Sequence, residues 1–167
     1  MTDAEAIITR LKLEPHPEGG YFKETYRSEQ YIPASGLPDN YGAPRCFSTC
    51  IYFLLTADAF SAFHRVRQDE AWHFYLGSPL KIHAIDPSGN YRETLIGSDL
   101  DNGEVPQHVV PGGHWFGATV VEPNGFALVG CTVAPGFDFA DFELARRKEL
   151  IAFFPEHRSI ITNLTRA

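Results

Sequence analysis

Between Cys46 and Val133 the chain is cut into short runs of β-branched and aromatic residues by clusters of turn formers, a spacing that leaves no room for long helices. Cys46 to Leu54 ends in the turn Thr56-Ala57-Asp58. Leu80 to Ile85 and Tyr91 to Ile96 flank Asp86-Pro87-Ser88-Gly89-Asn90, and Gln107 to Val110 leads into Pro111-Gly112-Gly113. His114 to Val121 and Phe126 to Val133 surround Glu122-Pro123-Asn124-Gly125. Evenly spaced short strands with turn chemistry between them close into a sandwich or barrel. At 167 residues the whole chain, 1–167, reads as one domain. A domain of that size buries roughly two thirds of its unfolded surface and needs no disulfide or metal to hold it together.

The centre of this pattern is Phe60 to Gly77, which reads as strand, short polar turn and strand. Alternation puts His64 on one face with Ala62 and Val66. Beyond Arg67-Gln68-Asp69 it puts Glu70 on one face with Trp72 and Phe74. A histidine and a carboxylate are thereby expected together on the apolar inside of one sheet. His73 follows Glu70 by three residues, so an unbroken strand sends it to the opposite face and only a bulge would bring the two together.

The flanks read differently. Asp3 and Glu5 ahead of Ile7, Ile8 and Leu11 predict a short helix over about Asp3 to Lys12, ended by Pro15 and Pro17. Gly19-Gly20 frees the backbone to turn into a strand over Tyr21 to Arg27, with Phe22, Glu24 and Tyr26 on one face; Glu24 is a second candidate carboxylate. Ser28 to Arg45, with three prolines, two glycines and no periodicity, reads as a partly ordered flap. Asp141 to Ile151 has the N-cap, acidic-first order and apolar spacing of a helix that Pro155 stops, and a last helical piece includes Ile160, Ile161 and Leu164.

Composition removes whole classes of partner. Lys plus Arg number 14 against 21 acidic residues, a net charge of -7 with no basic cluster, so nucleic acid is not expected. The longest apolar runs, such as Cys50 to Leu55, are too short to span a bilayer, and the acidic N-terminus lacks targeting character; the expectation is a soluble cytoplasmic protein. Cys46, Cys50 and Cys131 have no Cys-x-x-Cys spacing and read as buried thiols. No Gly-x-Gly-x-x-Gly, P-loop, His-Glu-x-x-His or Gly-x-Ser-x-Gly motif is present, which removes support for Rossmann, P-loop, zincin and serine-esterase chemistry.

His64, Glu70 and Gly77 fall on the first histidine, the glutamate and the closing glycine of the first signature of the cupin superfamily, which this chain resembles. Val66 stands at that signature's second histidine. In the second signature Pro111 and Gly113 match, while Phe116 stands at the histidine, so two of three imidazole ligands are absent. Within cupins, His16 to Phe22, Asp69 to Phe74 and Pro135 to Phe142 look like DUF985, a family of small cupins, and span nearly the whole chain. The resemblance implies a double-stranded β-helix, the jelly-roll barrel, with short helices at either end. It also implies a homodimer, and its relatives in shape include sugar-nucleotide epimerases.

Three functions remain open at this point. The first is a metal-independent cupin, with no cofactor, binding a small carbohydrate-like or nucleotide-sugar ligand in the barrel as an epimerase or isomerase. There His64 is the base, and Glu70 accepts its ring N–H and fixes the tautomer. The second is a metal-dependent, dioxygenase-like cupin holding a divalent ion with His64, Glu70 and a displaced His73 or His114. The third is a non-catalytic metabolite-binding module. Glu24, Tyr52, Trp72, His73 and Phe116 are the candidate ligand-binding residues, the aromatics by their flat faces. Glu18 reads as a solvated turn carboxylate for which only the resemblance suggests more. His114 reads as an exposed loop histidine, and His16, His83, His108 and His157 as structural or surface residues.

Overall fold

The computed structural model describes residues 3–166; Met1, Thr2 and Ala167, the ends of the expected domain, lie outside the described residues. Helix α1 (Asp3–Leu11) carries its acidic residues in the first turn and Arg10 in the last, as the helix dipole favours. It is followed by β1 (Glu14–Pro15), β2 (Tyr21–Arg27), β3 (Tyr31–Ile32), β4 (Arg45–Cys46), β5 (Thr49–Thr56), β6 (Phe60–Val66) and β7 (Glu70–Gly77). Then come β8 (Leu80–Ile85), β9 (Tyr91–Ile96), β10 (Gln107–Val110), β11 (Trp115–Val120), β12 (Phe126–Val133), β13 (Phe142–Leu144), α2 (Arg147–Phe153) and α3 (Arg158–Asn163). No helix among the described residues is long and apolar enough to cross a membrane.

The strands form a six-stranded sheet in the order β1-β2-β5-β12-β7-β10 and a five-stranded sheet in the order β13-β6-β11-β8-β9. Neighbouring strands within both sheets are antiparallel, and the two sheets face each other as a jelly roll. Alternation fills the space between them: Phe53 and Leu55 of β5, Trp72 of β7, Ile82 of β8, Phe116 of β11 and Val129 of β12 make one buried cluster. The outer faces are closed by helices. α1 lies over Leu54 and Leu128, and α2 and α3 lie over Phe63, Ile85 and Trp115.

Alternation alone does not describe the strands that matter most. In β6, Phe116 faces His64 while Ala118 faces Ser61, so one extra residue is inserted and Ser61, not Ala62, shares the inner face with His64. In β2, Glu24 faces Ile51 and Tyr26 faces Cys50; this second bulge brings Arg27 inward beside Glu24 and leaves Tyr26 exposed.

The expected helix from Asp141 is shorter and begins later. Phe139–Asp141 is a 3₁₀ turn, and Phe142, Glu143 and Leu144 instead pair with Val66, Arg65 and His64 as an edge strand. Asp141 is unavailable as a cap because it holds Arg45: Nε and one Nη donate to its two oxygens at 2.7 Å each, and Gln68 Nε2 donates at 2.7 Å. The same pair orders the flap from Ser28 to Arg45, which contains β3 and two 3₁₀ turns and ends in a buried Arg45.

Candidate active site

One end of the space between the sheets is left unfilled, as a cavity of about 290 Å³. Its walls are mostly apolar, among them Phe22, Ile51, Val66, Trp72, Val133, Phe137, Phe139 and Phe142. On its lining are two imidazoles, His16 and His64, and four carboxyl residues, Glu18, Glu24, Glu70 and Asp138.

Glu18 arrives from outside the strands. It sits on the turn between β1 and β2, and that turn lies flat against the end of β6: the Ala62 N–H donates to the Glu18 carbonyl at 2.8 Å. Only glycine permits this approach. Gly19 has φ +114°, and a Cβ there would lie 2.2 Å from the Phe60 carbonyl oxygen; at Gly20, φ +74°, it would lie 2.7 Å from that of Leu54. Arg166 holds the turn from the other side by donating to the carbonyls of Pro17 and Glu18.

The hydrogen bonds around Glu18 determine where the protons are. The Ser61 hydroxyl donates to Glu18 Oε1 at 2.8 Å, which the β6 bulge makes possible. His64 Nδ1 lies 2.7 Å from the Ala62 carbonyl, which can only accept, so Nδ1 carries a hydrogen. The other nitrogen, Nε2, faces Glu18 Oε2 at 3.1 Å. Burial pushes the His64 imidazole below its ordinary value, with Glu70 drawing it partly back. Burial likewise pushes the Glu18 carboxyl up, against His16, Ser61 and Arg166. One proton is held across the contact between His64 Nε2 and Glu18 Oε2, and burial moves both groups toward their uncharged forms. His16 Nδ1 accepts from the Glu18 N–H at 3.2 Å, which leaves its hydrogen on Nε2, and burial lowers the basicity of the ring.

Glu70 is an acid set near neutrality. Burial first, and then the neighbouring Glu18, push its carboxyl up to about 7, while His64 and a hydrogen bond with the Cys131 thiol hold it back from going higher. Burial raises that thiol well above its ordinary value, so it stays protonated. At the cavity mouth Glu24 and Arg27 form a bidentate pair at 2.8 and 2.9 Å, and Arg27 also donates to the Phe137 carbonyl at 3.1 Å. Phe137, Phe139 and Phe142 pack edge to face over the opening, with ring centroids 5.0 to 6.3 Å apart.

The structure brings His64, Glu70, Glu24 and Trp72 to this cavity. The expected pairing within the set changes: the carboxylate against His64 is Glu18, and the residue taking its ring N–H is Ala62, not Glu70, because the bulge turns that carbonyl toward the imidazole. Phe116 packs on the His64 ring, with centroids 4.1 Å apart, as floor and not as lining. Tyr52 lies on the outer face of β5 against Tyr75 and the α1 cluster, since Ile51 and Phe53 take the inner positions. His73 also lies outside, its Nε2 3.1 Å from the Thr132 hydroxyl, and the irregularity in β7 falls beyond it, too late to turn it inward. His114 is half-buried rather than exposed, and its Nδ1 is buried without a partner.

Sequence reasoning missed Glu18, His16 and Ser61. The available signal was Pro17-Glu18-Gly19-Gly20: two successive glycines mark a close backbone approach as well as a turn.

The fit to a metal is poor. Both nitrogens of His64 are engaged within the protein, Val66 and Phe116 stand where further imidazoles would be needed, and His73 is on the far face. Among the described residues no group of three or more His, Cys, Asp or Glu side chains is arranged to hold an ion.

Comparison with known proteins agrees with the architecture. Residues 5–145 match the family described as Cupin superfamily (DUF985). An uncharacterized protein of Saccharomyces cerevisiae is 38% identical over 149 residues, which cover 82% of this chain and 72% of the yeast protein. A hypothetical protein from Leishmania major has a solved structure that superposes with a TM-score of 0.91 at 37% identity, covering 99% of this chain and all of that one. A Shewanella oneidensis protein superposes at 0.89 and 41% identity, with 99% of each chain covered. Oxalate decarboxylase from Bacillus subtilis shares the fold at a TM-score of 0.55 and 16% identity, over 90% of this chain and 36% of the decarboxylase. With a family match over most of its length and these relatives beside it, the chain belongs to the DUF985 family of the cupin superfamily.

Proposed function

We propose that the cavity is an acid–base site that works without a metal, moving a proton at a carbon next to a carbonyl in a small carbohydrate-like molecule, as an isomerase or epimerase does. The observation that carries this reading is Glu70: a buried carboxyl set at about 7, facing a buried His64–Glu18 pair inside a cavity of about 290 Å³. A group whose proton affinity matches the working pH is the best compromise between being in the right form and transferring readily. Glu70 takes the proton from carbon. The His64–Glu18 pair, which already holds one proton between two bases, supplies or relays the second. Apolar walls keep water from competing for either. The volume is at the lower end for ligand pockets and suits one ring rather than two.

The test is proton exchange in D2O. Ketoses and nucleotide-linked keto sugars are incubated with the protein, and deuterium entering at the carbon beside the carbonyl is followed by NMR. Exchange that depends on Glu70 and is lost in Glu70→Gln is the expected outcome. If compounds bind but none exchanges, the cavity is a binding site and the acid–base reading is wrong.

A further inference from the structure

Trp72 is a second feature of this cavity that the proton chemistry leaves unused. It lies two residues from Glu70 on the same face of β7 and is 1% exposed. It lines the cavity, and its indole Nε1 is buried without an acceptor. Its aromatic neighbours are Phe53 and Phe116, at 5.7 and 6.2 Å. A buried N–H without a partner is costly, and a phenylalanine would pack against those neighbours without that cost. We infer that the indole N–H of Trp72 is the donor that receives the carbonyl oxygen of an uncharged ring-shaped ligand. This rests on the acid–base reading and deepens it, because the N–H would hold the oxygen on which negative charge collects when Glu70 removes the neighbouring proton.

The lining also argues against an anionic ligand. Arg27 is the cationic side chain on the cavity and is committed to Glu24, so a carboxylate or phosphate entering the interior finds no free positive charge. An ammonium, having no lone pair, leaves the indole unpartnered. A neutral carbonyl compound satisfies it, and the hydrogen on His16 Nε2 is a further donor among the lining residues.

A series of six-membered rings separates these cases: cyclohexanone, cyclohexanol, methylcyclohexane, cyclohexanecarboxylate and cyclohexylammonium. The chain has two tryptophans, so the two indole N–H signals of ¹⁵N-labelled protein are assigned with Trp115→Phe. Cyclohexanone should move the Trp72 N–H signal downfield, and methylcyclohexane should perturb the Val66 and Val133 methyl signals without doing so. Trp72→Phe should weaken cyclohexanone binding three- to tenfold, the range a neutral hydrogen bond carries, and leave methylcyclohexane unaffected. The inference is overturned if cyclohexanone enters without moving the indole signal, or if either charged ring binds best; both results leave the acid–base reading standing. If no ring reaches the cavity signals, this inference and the binding role of the cavity fall together.

Discussion

His64 Nε2 lies 3.1 Å from Glu18 Oε2, while the ring's other nitrogen is given to the Ala62 carbonyl. The bond therefore contains one proton and two bases, buried where charge separation is expensive, and burial draws that proton toward the carboxyl. The ¹⁵N shifts of His64 should show Nδ1 protonated and Nε2 bare from about pH 6 to about pH 8. Protonation of both nitrogens at neutral pH would contradict the pairing. Glu18→Gln keeps an N–H donor toward Nε2, so its stability should change by less than about 1 kcal/mol, while any exchange activity that uses this proton disappears.

Glu70 should make the protein less stable as pH rises. Its folded value of about 7 lies above the ordinary 4.5, so between those two values the unfolded chain has released a proton that the folded chain still holds. Stability is then at its fullest below about 4.5, falls as pH rises toward 7 and levels above it. The penalty above pH 7 is about 3 kcal/mol. Glu70→Gln removes the titration, so the variant should exceed the wild type in denaturant midpoint at about pH 8 and match it near pH 4. Equal stabilities at both pH values would mean that Glu70 is not held protonated. A site residue whose removal stabilises the protein is one the fold does not need.

How far these residues could be read in advance follows from how local their causes are. Strands such as Tyr21–Arg27, Leu80–Ile85, Tyr91–Ile96, Gln107–Val110 and Phe126–Val133 lie where periodicity and turn residues place them, because both are written within a few residues. His64 and Glu70 could be seen facing one interior for the same reason. Ser61 and Arg27 could not: Ser61 reaches Glu18, and Arg27 the cavity, through a bulge, and a bulge is settled by the partner strand. Glu18 depends on contacts with residues more than 40 positions away, of which the double glycine is the only local trace. Asp141 carried a helix-cap signal, but a distant Arg45 claimed it.

Gly19 tests whether the Glu18 turn must lie where it does. In Gly19→Ala the new methyl meets the Phe60 carbonyl, which is backbone and cannot swing aside, and the residue must also hold φ +114°. The strain is about 1–3 kcal/mol before any clash is counted, so the turn should lift from β6 and take Glu18 away from His64 and Ser61. The expected result is a lower denaturant midpoint together with a changed His64 ¹⁵N signature. Wild-type values for both would show that the turn has freedom the structure does not suggest.

The Arg45–Asp141 pair tests the attachment of the strap over the cavity. Asp141 closes the 3₁₀ turn that begins at Phe139 and precedes Phe142, so the rings over the mouth are anchored to the Ser28–Arg45 segment through two buried charges. Burial by itself would raise the Asp141 carboxyl, but hydrogen bonds from Arg45 and Gln68 hold it below its ordinary value. Its contribution is therefore present above the unfolded value of 3.8 and lost as pH falls through the lower folded one. Arg45→Met leaves the carboxylate buried with Gln68 and a longer contact to Arg67 at 3.4 Å, which should cost about 3–5 kcal/mol near neutral pH. That cost should shrink below about pH 4, where Asp141 in the variant can take up a proton. Adding Asp141→Leu should recover part of the loss, because the unpaired charge is removed rather than the packing improved. A double variant less stable than Arg45→Met alone would mean that Asp141 serves chiefly its neighbours Gln68 and Arg67, and that Arg45 is not what holds the strap in place.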